Sequence, residues 1–127
     1  MEETPRVLVV EDDPTISEVV VRYLEREGLV VEAVADGRDA LDAAARVWPD
    51  LVVLDLMLPG IDGIEVCRRL KADPQTRYIP VVMVTVRAGD RDRGQGAAAG
   101  ADAYLTKPFH LSELQDIIDK LLPAQTG

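Results

Sequence analysis

The sequence predicts an α/β fold, a doubly wound parallel sheet of five strands with helices on both faces. Two observations lead there. Short apolar runs rich in β-branched residues recur along the chain, and segments with the 3.6-residue period of amphipathic helices separate them. Alternation of this kind builds a parallel sheet through right-handed crossovers. The length of 127 residues suits one compact domain, and a domain of that size buries roughly 60–70% of its unfolded surface.

The first strand is Val7-Leu8-Val9-Val10. A helix follows, with Asp13 as N-cap, Pro14 at its first position and Gly28 as its stop. Its inward face is Ile16, Val19, Val20, Tyr23 and Leu24. Leu29-Val30-Val31 is the second strand, and the next helix starts after Asp36-Gly37, turns Ala40, Leu41 and Ala44 inward, and ends before Trp48-Pro49. The third strand, Leu51-Val52-Val53-Leu54, leads to a helix carrying Ile64, Cys67 and Leu70 that stops near Asp73-Pro74. Val81-Val82-Met83-Val84 is the fourth strand. These four runs are continuous enough to suit strands covered on both faces.

The fourth helix, around Arg91 to Ala99, is poor. Gly94 and Gly96 each cost about 1 kcal/mol against alanine in a helix interior, so this helix is expected to be mobile. The pair lies too late in the chain to be a dinucleotide-binding fingerprint. Ala103-Tyr104-Leu105 is a weaker fifth strand, and the last helix shows Leu111, Leu114, Ile117, Ile118, Leu121 and Leu122 on one stripe. The folded domain is expected over residues 5–122, with 123–127 a flexible tail.

Composition narrows the function. The net charge is −9, from 23 acids against 14 bases, which argues against this domain gripping nucleic acid by itself. It favours cations or partners with basic patches, though solvation alone would also explain it. No apolar run approaches the ~18 residues of a membrane span, and the acidic start Met1-Glu2-Glu3 is no signal peptide. A cytoplasmic protein is expected. Cys67 has no partner for an internal disulfide and sits on an apolar helix face. His110, the single histidine, stands just before the last helix, where a capping or surface role is expected and a transition-metal site is not.

In such folds the functional site lies beyond the carboxyl ends of the strands. There the sequence places Glu11-Asp12-Asp13, Asp55, Thr85 and Lys107-Pro108. If the strands run 2-1-3-4-5, the first and third are neighbours and Glu11, Asp12 and Asp55 converge. Three such carboxylates repel unless a cation joins them, and an all-oxygen site with few protein ligands suits Mg²⁺. An ionised aspartate needs no general base before attacking phosphorus. The obstacle is repulsion between two anions, which Mg²⁺ and a lysine reduce. Each piece alone has a plainer account: the acids as a cap and solvated turn, Pro59-Gly60 and Asp62-Gly63 as turns, Lys107-Pro108 as a loop.

Together they resemble the response-regulator receiver family. The resemblance rests on Val9-Val10-Glu11-Asp12-Asp13, Val53 to Gly63, Val84-Thr85 and Tyr104-Leu105-Thr106-Lys107-Pro108-Phe109, in family order and spacing over about residues 5 to 122. It implies the flavodoxin-like (βα)5 three-layer sandwich and supplies the strand order 2-1-3-4-5. It implies Asp55 as phosphoacceptor, Asp12 as direct Mg²⁺ ligand, Glu11 acting through a bound water, and the Met57 carbonyl completing the ligands. Lys107 would contact the phosphoryl group, Thr85 would report its presence, and Tyr104 matches the aromatic that turns inward in the active state. A sheet-edge aromatic is the plainer alternative for Tyr104. Lys107-Pro108 looks like the family's cis peptide, and Asp13 is left to capping.

The implied function is a phosphoacceptor switch, not a metabolic enzyme, loaded by a sensor histidine kinase or phosphotransfer protein. It would be read by a downstream effector protein or domain through the fourth helix, fifth strand and fifth helix. An aspartate-nucleophile phosphatase would need an acid where Met57 stands. A degenerate receiver, binding partners without phosphorylation, is the alternative. Val86 departs from the small residue usual after Thr85 and is expected to narrow access to Asp55. Met57 and Arg87 flank the phosphoryl pocket. No effector domain follows residue 122 in this sequence, so the chain either docks to partners or is the receiver portion of a longer regulator. Thr85-Val86-Arg87 and Thr106 to Phe109 look like receivers of winged-helix transcription factors. Ala103 and the lack of arginines in the last helix depart from that group's dimer face. A phosphorylation-dependent homodimer is left open.

Overall fold

The computed structural model describes residues 4–87 and 89–122. The expected tail, 123–127, lies outside the described residues. Five strands, β1 (Arg6–Val10), β2 (Val30–Val34), β3 (Leu51–Asp55), β4 (Val81–Thr85) and β5 (Ala103–Thr106), alternate with five helices. The helices are α1 (Pro14–Arg26), α2 (Gly37–Val47), α3 (Gly63–Ala72), α4 (Asp90–Ala99) and α5 (Leu111–Leu121). All pairings are parallel and the order is β2-β1-β3-β4-β5. The expected flavodoxin-like order is the one observed.

Successive residues of a strand point to opposite faces, and the core divides accordingly. Leu8, Val10, Val52, Leu54, Val81 and Met83 pack with α2, α3 and α4, while Val7, Val9, Leu51, Val53, Val82 and Val84 pack with α1 and α5. The three central strands are covered on both faces, as continuous apolar runs require. β2 is not. It is an edge strand, and Val30 is 45% exposed. Val19, expected inward, is 49% exposed, because α1 turns Val20 and Leu24 into the core and leaves Val19 on its rim.

Capping follows the sequence. The Asp13 carboxylate accepts from Thr15 N at 2.9 Å and Ile16 N at 3.3 Å, with Pro14 in the first turn. Asp36 and Asp62 cap α2 and α3 in the same way. At α5 the Glu113 carboxylate accepts from the His110 N–H at 2.8 Å, so His110 is the N-cap and exposed. α4 begins at Gly89 without a side-chain cap. It is anchored at its other end. There Cys67 Sγ donates to the Ala99 carbonyl at 3.5 Å, and Gly100 sits against the stem of Lys71. Lys71 Nζ in turn donates to Ile79 O at 2.8 Å and Asp102 Oδ2 at 2.9 Å, and Asp102 also accepts from Val81 N at 2.8 Å. Among the described residues no helix is long and apolar enough to cross a membrane.

Candidate phosphoacceptor site

Register brings the strand ends together. Val10 pairs with Leu54, Asp55 with Val84, and Thr85 with Thr106, so the residues that follow β1, β3, β4 and β5 meet at one edge. One carboxylate oxygen from each of Glu11, Asp12 and Asp55 lies within 4.8 Å of the others. Glu11 and Asp55 are buried, at 7% and 6% exposure, while Asp12 faces solvent. This cluster could hold a metal ion. Its donors are hard oxygens, with neither thiolate nor imidazole among them, which suits Mg²⁺ or Ca²⁺ over a softer transition metal.

Lys107 closes the site. Its Nζ donates to Asp55 Oδ2 at 2.9 Å and to Glu11 Oε1 at 2.7 Å. Two buried carboxylates would otherwise pay heavily for lost hydration. Burial raises the Glu11 pKa above the ordinary carboxylate value, and the hydrogen bonds from Lys107 and the Asp13 amide only partly offset it. Burial alone would depress Lys107, but hydrogen bonds to Glu11 and Asp55 and their charges hold its pKa above the ordinary lysine value. The lysine is therefore a fixed cation at neutral pH. The resemblance points Lys107 at a phosphoryl group beside Asp55, whereas its bond to Glu11 has no sequence signal.

The other Asp55 oxygen, Oδ1, accepts from Met57 N at 2.9 Å, which fixes the carboxylate plane. The loop after β3 can fold this tightly because residue 63 is glycine. A Cβ there would meet the Asp55 carbonyl oxygen at 2.3 Å and Leu56 Cα at 2.7 Å, and the Gly63 amide instead donates to Leu56 O at 2.8 Å. In the sequence Gly63 is legible only as a turn residue, since its close approach depends on the loop's path.

Thr85 is fully buried, its Oγ1 accepting from Arg87 N at 3.3 Å. Lys107 N donates to Thr85 O at 2.7 Å, and the Lys107–Pro108 bond is cis, as the resemblance implied. Tyr104 is half-buried, and its hydroxyl donates to Arg87 O at 2.8 Å. Two openings flank the site. A cleft of about 650 Å³ is lined by Asp12, Met57, Pro59, Arg68 and Arg87. On the other side an apolar groove of about 620 Å³ is lined by Ile16, Val19, Val86, Lys107 and Phe109. Met57 and Arg87 thus flank the site as expected, whereas Val86, 63% exposed, faces the groove.

Known proteins share this arrangement of chain. The RpaA transcriptional regulator of Synechocystis is 45% identical over 118 residues, covering 93% of this chain and 49% of the relative. TcrA, a transcriptional regulatory protein of Mycobacterium tuberculosis, is 52% identical over 109 residues, covering 86% of this chain and 42% of the relative. The chain thus spans about half the length of these curated relatives. A solved receiver domain of a Pseudomonas aeruginosa sensor histidine kinase, with a magnesium ion coordinated in its active site cleft, matches with a TM-score of 0.82 at 35% identity, covering 94% of this chain and 98% of that one. The family model described as the response regulator receiver domain matches residues 7–119. With its sheet order and its strand-end residues, the chain belongs to the response-regulator receiver family.

Proposed function

We propose that the domain is a Mg²⁺-dependent phosphoacceptor switch that takes a phosphoryl group on Asp55 from a histidine kinase or phosphotransfer protein. The observation that carries this reading is the Lys107 ammonium held 2.9 Å from Asp55 Oδ2 beside a cluster of three carboxylates. Glu11, Asp12 and Asp55 would hold the ion, with the Met57 carbonyl as a further ligand. Bound there, Mg²⁺ supplies neutralisation of the equatorial phosphoryl oxygens.

The chain's own residues do the rest. The Asp55 carboxylate is oriented by the Met57 amide. One of its oxygens attacks phosphorus, the bond to the donor's leaving atom breaks, and an acyl phosphate forms. An ammonium carries three N–H donors, of which Glu11 and Asp55 take two. Among the described residues the third has no partner, so it can meet a phosphoryl oxygen. The Thr85 hydroxyl, at the adjacent strand end, can donate to the same group. Turning Oγ1 towards that group would stretch the bond it accepts from the Arg87 amide and alter the segment that receives the Tyr104 hydroxyl. Slow attack of water on phosphorus later returns Asp55 and inorganic phosphate. The α4–β5–α5 face is the readout, and an effector protein or an attached output domain is the reader; the relative RpaA is described as a DNA-binding transcriptional regulator.

Acetyl phosphate with Mg²⁺ should add one phosphoryl unit to the intact mass, and Asp55→Asn or removal of Mg²⁺ should abolish the gain. No gain from acetyl phosphate or from a histidine kinase, with Mg²⁺ present, would favour a degenerate receiver that binds partners unmodified.

A further inference from the structure

The Tyr104 ring is held by more than its hydroxyl. The Arg93 guanidinium lies over it, 5.0 Å from its centroid, and Arg93 Nη2 donates to Thr106 Oγ1 at 3.0 Å. One turn further along α4, Gly96 presents bare backbone to the same ring. A Cβ there would lie 3.1 Å from Tyr104 Cδ2, tighter than ordinary contact, with Met83 Sδ at 3.5 Å beyond it. Positions i and i+3 share a helix face, so α4 offers one cation and one gap to one aromatic ring. The buried Gly96 therefore seats Tyr104, which is a more definite task than loosening the helix.

These contacts form a closed circuit with the site. The Thr85 hydroxyl accepts from the Arg87 amide, the Arg87 carbonyl accepts from Tyr104, the ring lies under Arg93, and Arg93 returns to Thr106. Thr106 is the register partner of Thr85 and immediately precedes Lys107. Arg87 also pairs with Asp92 in the first turn of α4, at 3.8 Å. The amino-terminal half of α4 has no side-chain cap, so its position depends on Arg93 and Asp92 reaching back to β5 and the segment after β4.

We propose that Arg93 is a positioning residue that, with Gly96, clasps the Tyr104 ring in its observed place and so sets how readily the ring leaves it. The first part stands on the contacts above. The consequence for signalling rests on the proposed engagement of Thr85 by a phosphoryl group.

The test is ¹⁹F NMR of the full chain carrying 3-fluorotyrosine, which has three tyrosines to resolve. The Tyr104 resonance is assigned by Tyr104→Phe. Arg93 is exposed, so Arg93→Gln should fold normally. It should raise the population of the displaced ring conformer about three- to tenfold, the scale of one surface cation–π contact with its hydrogen bond. Arg93→Lys, which keeps the cation, should fall between wild type and Arg93→Gln, with amide protection of the central strands equal in all three. A Tyr104 resonance unmoved in position and exchange broadening by Arg93→Gln overturns the clasp. Addition of Mg²⁺ and fluoroberyllate then separates the two ideas. If the wild-type Tyr104 resonance does not respond, the Thr85 switch reading fails, while the clasp is still judged on the spectra without additive.

Discussion

Cys67 lies fully buried on α3 beneath the last turn of α4. Loss of hydration disfavours the thiolate, and the thiol pKa is pushed up to about 11. The native protein should therefore resist iodoacetamide at pH 8 and label only on unfolding, as mass spectrometry of a urea series would read. The same burial has a sign in the pH dependence of stability. Between pH 9 and 11 the unfolded thiol ionises while the folded one keeps its proton, so the folded state binds more protons and stability falls as pH rises. The whole effect is on the order of 3 kcal/mol. Denaturant midpoints should drop more steeply above pH 9 in the wild type than in Cys67→Ala. Equal slopes would mean that the thiol finds water in the native state. Val86 poses a question of access. It forms the groove wall beside Lys107, so Val86→Ala should speed both acetyl-phosphate labelling and loss of the phosphoryl group if that side is the entry. Unchanged rates would place the entry at the Met57–Arg87 cleft instead.

At the scale of the element, α4 forms against its own composition. Gly94 lies in a helix interior and faces open space, and a Cβ added there would have nothing within 4 Å. Gly94→Ala should then stabilise the protein by about 0.5–1 kcal/mol, mostly by restricting the unfolded chain. Gly96→Ala, pressed on Tyr104, should gain less or lose, and thermal melts of the two variants would separate the cases. The elements themselves were legible because their signals are local. Asp13-Pro14, Asp36-Gly37 and Asp62-Gly63 mark helix starts, and the runs at Val7, Leu51 and Val81 mark buried strands. Two details were not. That Val30 is exposed follows from β2 being an edge, which only the strand order decides. That Gly96 is a seat follows from a ring on another strand. Neither leaves a mark in its own segment.

For the whole molecule, the strand-end rule located the residues of the candidate site, and the resemblance supplied the order that joins them. What it could not supply was the partition of charge between elements far apart in sequence. Lys107 shares its ammonium between Asp55 and a glutamate 96 positions away, and Lys71 holds Asp102 from 31 positions away. The chain carries a net charge of −9, so any salt should stabilise it somewhat by screening. A metal held by Glu11, Asp12 and Asp55 predicts more. At ten times its dissociation constant a ligand of the native state adds about 1.4 kcal/mol, which for a domain of this size raises the melting temperature by about 4–8 °C. NaCl of equal ionic strength should give much less. Asp12→Asn supplies the internal control, because removing one of three mutually repelling carboxylates should leave the metal-free protein as stable as the wild type or more so. With Mg²⁺ the order should reverse. Were Asp12→Asn to keep the full Mg²⁺ shift, the ion would be stabilising the acidic surface at large, and the three-carboxylate cluster would not be its site.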